Sequence, residues 1–93
     1  MFIGTVVFDL HLPGITSLKE KRRRLKPLLS RLQSRFNISI AEVGYNDDLR
    51  MAQVGAAIVT NDKRFADQVI AKIAETVRSE PEINVSDYRV EIL

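Results

Sequence analysis

Ser17–Phe36 reads SLKEKRRRLKPLLSRLQSRF, and its spacing predicts one long amphipathic helix. Leu18, Leu25, Leu28, Leu29, Leu32 and Phe36 fall on one arc, the pattern of a helix that buries a single stripe. Ser17 and Glu20 have the spacing of a capping box, in which the hydroxyl accepts the Glu20 N–H and the carboxylate reaches back. Lys21 also lies on the apolar arc and is expected to snorkel from its edge. Pro27 cannot donate to the Arg23 carbonyl and should bend the rod. The leucines keep phase across it, so one bent helix is favoured over two.

The other face of this helix is crowded with cations. Eight basic residues from Lys19 to Arg35 stand against Glu20 alone, a local charge of +7 in a chain of net +2, which leaves −5 elsewhere. Arg24, Arg31 and Arg35 line one flank, Lys19, Arg22 and Lys26 the other, and Arg23 points outward. Lys19, Lys21 and Arg22 sit in the first turns, where the helix dipole favours acids. Helix stability does not select that placement, whereas an anionic partner would explain it. The competing explanation is a solvated face, or one that meets the protein's own acids.

Working outward, Phe2–Leu12 reads as a long strand with Phe8 and Leu10 on its core face, and Pro13-Gly14 breaks it. Its other face, Ile3, Thr5, Val7, Asp9 and His11, stays apolar as far as Val7, which fits a central strand. Asn37–Tyr45 is the second strand, with Ile38 and Ile40 opposite Ala41, Val43 and Tyr45. Tyr45-Asn46-Asp47-Asp48 is a hairpin connection. Ala52–Thr60 is the third strand, where Val54, Ala56 and Ile58 alternate with Gln53, Gly55, Ala57 and Val59. Thr60, Asn61 or Asp62 caps a second helix, buried through Phe65, Ala66, Val69, Ile73 and Val77 with Ile70 beside them, and Pro81 ends it. Ile83–Leu93 is the last strand. There Tyr88, Val90 and Ile92 share a face, Asp87, Arg89 and Glu91 suit an edge, and the phase change near Ser86 points to a bulge.

The order β-α-β-β-α-β predicts an α+β, ferredoxin-like sandwich: a four-stranded antiparallel sheet with both helices on one face. Ninety-three residues make a single domain, 1–93, with a two-layer core and no room for a separate cofactor domain. The open sheet face is then left with Ile3, Val7, Ala57 and Val59, an apolar patch that a homodimer would cover.

The absence of cysteine excludes disulfides, thiolate nucleophiles and cysteine-held metals. The start MFIGTVVFDLHL lacks a basic leader and no apolar run reaches membrane-spanning length, so the expectation is a cytoplasmic protein without a membrane partner. His11 is the single histidine, with Asp9 on its strand face, an arrangement that could orient a general base. No nucleophile or oxyanion motif accompanies it, even with Lys19 near the same loop, and a structural role for His11 is expected. His11, Asp47 and Asp48 do not compose a metal set, and the four glycines are too scattered for a phosphate loop. The HLPGITS loop also lacks the arginine of the acylphosphatase loop, so neither catalysis, metal nor cofactor is expected.

Nucleic-acid binding divides into two modes. Base stacking in the manner of RRM domains needs aromatics on the central strands, and AQVGAAIVT has none. Electrostatic binding needs only a basic face meeting phosphates, which Lys19, Lys21, Arg22, Arg23, Lys26, Arg31 and Arg35 supply.

The stretches HLPGITSLKEKRRRLKPLLSRLQSRFNISIAEVG and VGAAIVTND resemble the YlxP-like family of small, largely uncharacterised bacterial proteins. The matching positions are His11, Leu12, Pro13, Ser17, Leu18, Lys19, Glu20, Lys21 and Arg22, then Asn37, Ser39, Ala41, Glu42, Asp47 and Gly55. The resemblance implies a ferredoxin-like fold, dimers and no established enzymatic activity. The family's genes often neighbour those for transcription elongation, translation initiation and ribosome maturation, which implies an association with translation. Leu49-Arg50 departs from the family's usual Trp-Gln after the hairpin aspartate, removing a ring and adding a cation. The expected function is a non-enzymatic protein that binds structured RNA or the ribosome through its basic helix. The alternative is a dimeric scaffold whose helix meets an acidic protein.

Overall fold

Alternation in the strands and a 3.6-residue period in the helices produce six elements in a computed structural model that describes all 93 residues. They are β1 (Phe2–His11), α1 (Leu18–Arg35), β2 (Ser39–Gly44), β3 (Met51–Thr60), α2 (Lys63–Arg78) and β4 (Asn84–Ile92). The sheet is antiparallel in the order β2-β3-β1-β4, with the two long strands at its centre. This is the ferredoxin-like plan. Each helix crosses from a strand to one that is not its sheet neighbour.

Period-two burial explains the layering. Gly4, Val6, Phe8 and Leu10 of β1 and Ala52, Val54, Ala56 and Ile58 of β3 are buried beneath the helices. From α1 come Leu25, Leu28 and Leu32, and from α2 come Ala66, Val69, Ile70, Ile73, Ala74 and Val77. Leu12, Ile15, Ile38 and Ile83, in the connections, complete the cluster. Phe65 is not part of it: the ring is 49% exposed. The stripe runs through Ala66, Val69, Ile70, Ile73 and Val77, and Phe65 lies one residue, about 100°, off its start.

Helix α1 runs unbroken through Pro27. Ser17 caps it, its Oγ accepting the Glu20 N–H at 3.1 Å. The Glu20 carboxylate does not complete a capping box. It accepts instead from the Thr16 hydroxyl at 3.0 Å and the Thr16 N–H at 3.4 Å, one residue before the cap. Asp62 is the cap of α2, accepting from Arg64 and Phe65 N–H groups. That helix stops at Arg78, before Pro81, with Ser79 as its C-cap.

Two bulges shape the sheet edges. Asp9 pairs with Asp87 and Leu10 with Val85, so Ser86 is the extra residue of β4. Glu42 pairs with Val54 and Gly44 with Gln53, which makes Val43 the extra residue of β2. Tyr45 closes the hairpin at a φ of 57°, and its carbonyl accepts the Asp48 N–H at 3.0 Å.

Candidate nucleic-acid interface on helix α1

The cations of α1 do not share one fate, because the helix has three kinds of neighbour: sheet, acidic connection and solvent. Lys21 points at the sheet. It is 2% exposed, and its Nζ donates to the Tyr45 and Asp48 carbonyls, each at 2.7 Å. Glu42 Oε2 lies 2.9 Å away, a charge contact without hydrogen-bond alignment. Lys21 is therefore an internal clamp between the helix and the β2–β3 hairpin. It is unavailable to an external phosphate, which corrects its place in the expected binding set. An apolar-arc position facing an acid on the core side of β2 leaves the ammonium buried and paired rather than snorkelling.

The flank toward the α2–β4 connection meets the protein's own acids. Arg31 makes an ion pair with Glu80. Arg24 stands 3.6 Å from Glu82 and donates to the Pro13 carbonyl at 2.9 Å. Arg35 is exposed near the far end of α1, beside Lys72, Glu75 and Thr76 of α2 and its C-cap Ser79. For Arg24 and Arg31, self-neutralisation is the observed role.

Lys19, Arg22, Arg23 and Lys26 form the remaining group. All four are exposed, none has an ion-pair partner, and with Pro27 they line a shallow depression on the outer face. Their spacing of three, four and seven residues stacks them as neighbours over two turns. Each like-charged neighbour pair costs a helix about 0.2–0.5 kcal/mol, and their place near the N-terminus opposes the dipole. The surface thus concentrates positive charge where no internal interaction rewards it.

Asp9 does not orient His11. Its carboxylate accepts from Gln53 Nε2 at 2.9 Å and Arg89 Nη1 at 3.2 Å, and Arg89 also reaches Asp87 at 3.1 Å. The hydrogen bond from Gln53, then that from Arg89, holds the Asp9 carboxyl below its ordinary 3.8. The same contacts raise Arg89, Asp9 foremost. In the hairpin, Asp48 Oδ1 accepts the N–H groups of Arg50 and Met51, which lowers its pKa as well. No three metal-ligating side chains stand together.

Two features escaped the reading of the sequence. The Lys21–Glu42 pair had a signal: Lys21 lies on the apolar arc of the helix, and Glu42 continues the alternation of Ile38 and Ile40. The Asp9–Gln53–Arg89 network had none, since it depends on which strands are neighbours.

Residues 3–90 match the model of a family described as a protein of unknown function, DUF503. The chain is 37% identical over 75 residues to the uncharacterized protein YlxP of Bacillus subtilis (strain 168), covering 81% of this chain and 82% of that one. Among solved structures it is similar to the de novo designed protein Foldit4, with a TM-score of 0.59 at 12% identity, covering 100% of this chain and 97% of that one. It is also similar to a dimeric ferredoxin-like protein of unknown function from Thermobifida fusca YX, with a TM-score of 0.51 at 13% identity, covering 100% and 90%. At these identities the two structures speak to the fold alone.

Proposed function

The chain belongs to the DUF503 family, and from that premise we propose that it is a non-enzymatic, cytoplasmic protein that binds the phosphate backbone of structured RNA, such as the RNA surface of the ribosome. The observation that carries this reading is the group Lys19, Arg22, Arg23 and Lys26: exposed, unpaired and stacked on one face, while Lys21, Arg24 and Arg31 are consumed internally. Arg35 is also exposed, but on the opposite flank near the far end of the helix. Phosphate contacts of this kind position a protein on a shaped RNA without reading bases.

Cosedimentation with ribosomes and separated subunits, from low to physiological salt, tests the proposal. Binding should be saturable and should weaken with log salt in proportion to the phosphates contacted. The triple variant Arg22→Glu/Arg23→Glu/Lys26→Glu should lose it while keeping the wild-type circular dichroism. Equal binding by that folded variant sinks the proposal.

A second reading is a dimeric interaction module whose basic helix meets an acidic protein. It is supported by the apolar surface left open on the sheet, where Val43 and Val59 are 54% and 64% exposed. A copurifying acidic protein without nucleic-acid absorbance would favour it.

A further inference from the structure

The free edge of β4 carries an unpaired row of backbone groups and a charge pattern that matches itself. The strand lies at one end of the sheet. Ile3 and Leu93 exchange both backbone bonds, at 3.0 and 2.8 Å. Antiparallel ladders alternate, so Glu91, Arg89 and Asp87 also turn their N–H and C=O groups inward to β1, following the regular register. Ile92, Val90 and Tyr88 turn theirs outward, toward the open edge. Their side chains lie on the helix side, where Ile92 packs against the core and the Arg78 guanidinium of α2 lies 4.8 Å from the Tyr88 ring, yet Tyr88 stays 37% and Val90 46% exposed. On the opposite face stand Asp87, Arg89 and Glu91.

We infer that β4 is the docking edge for a second copy of this chain, paired antiparallel with Val90 on the two-fold axis. Backbone parity allows only registers in which outward-facing residues meet outward-facing residues, and charge then chooses among them. With Val90 opposite its own copy, Arg89 faces Glu91 of the other copy twice, and Tyr88 meets Ile92 twice. Centring on Arg89 sets arginine against arginine and Asp87 against Glu91. Centring on Glu91 sets glutamate against glutamate. Centring on Tyr88 would pair Asp87 with Arg89, but it runs the ladder into the Ser86 bulge. The Val90 register keeps the bulge outside the ladder and gives the exposed Tyr88 and Val90 apolar neighbours. The Asp9–Arg89 contact survives, because Asp9 takes only Nη1 of the guanidinium. A two-fold normal to the sheet leaves both helix layers on one side of a continuous eight-stranded sheet. Self-association by this edge does not depend on RNA binding.

The chain has no cysteine, which makes cross-linking a direct test. Residues in a hydrogen-bonded antiparallel pair have Cα atoms about 5.5 Å apart, inside the roughly 4.4–6.8 Å range of disulfides. Val90→Cys should therefore oxidise to a covalent dimer, while Val59→Cys, on the open sheet face, should not. In sedimentation equilibrium Glu91→Arg should raise the dimer dissociation constant at least about tenfold, because it sets Arg89 against a second arginine twice. Adding Arg89→Glu to that variant should restore association with the charges exchanged. Circular dichroism checks that each variant folds. A wild-type monomer at all concentrations, or a covalent dimer from Val59→Cys and none from Val90→Cys, overturns the inference.

Discussion

Lys21 Nζ stands 2.9 Å from Glu42 Oε2, so the one buried charge of the helix ties α1 to the edge strand β2. The two carbonyls that share the ammonium belong to the hairpin, so one side chain fixes helix, strand and turn together. Removing it leaves a carboxylate without its counter-charge and two carbonyls without a donor.

Lys21→Met should accordingly destabilise the fold by about 2–4 kcal/mol, below the value for a wholly buried pair because Glu42 keeps contact with water. Urea denaturation measures the loss. Lys21→Met/Glu42→Met should recover part of it, since no uncompensated charge remains. RNA affinity of the folded Lys21→Met protein should stay at the wild-type value.

The paired and unpaired cations should separate in a salt titration of RNA binding. Arg23→Gln should reduce the slope of log affinity against log salt by about one, as expected for one lost phosphate contact. Arg24→Gln should leave that slope unchanged, because its guanidinium is committed to Glu82 and the Pro13 carbonyl.

Ser17→Ala should cost about 1 kcal/mol in thermal or urea unfolding, the usual effect of losing an N-cap acceptor. Glu20→Gln should cost less, because Glu20 serves Thr16 rather than the cap residue's own N–H.

Acid stability should follow Asp9 and Asp48, whose folded pKa values lie below their ordinary 3.8. A depressed folded pKa means that the unfolded chain takes up its proton first as pH falls. The stabilisation is therefore complete above the unfolded value and disappears as pH drops through the folded one. Unfolding free energy measured from pH 6 to pH 2 should decline in that window. Asp9→Asn should be less stable at pH 6 and show a shallower decline below pH 4.

Gly4 faces Ile70 Cδ1 at 3.0 Å and Ile58 Cγ2 at 3.1 Å from the place a Cβ would take. Gly4→Ala should lower stability by about 1 kcal/mol, the low end of overpacking, because the side-chain ends it meets are able to shift.

Element order, the Ser86 bulge, the Ser17 cap and the core faces, Phe65 excepted, were legible in the chain, because each rests on local periodicity or on neighbours a few residues apart. Burial follows the period of the backbone, and a strand of alternating Val, Phe and Leu has one face to bury wherever it lies. The excess of cations on α1 was equally visible. Which of them remain free was not. Glu42, Glu80 and Glu82 reach Lys21, Arg31 and Arg24 from elements distant in sequence, while no acid reaches Lys19, Arg22, Arg23 or Lys26. The neighbours of Asp9 likewise come from β3 and β4, outside the βα unit that holds it. Charge pairing acts through space over a few ångströms, and a linear pattern carries no information about such distances until the strands have found their order.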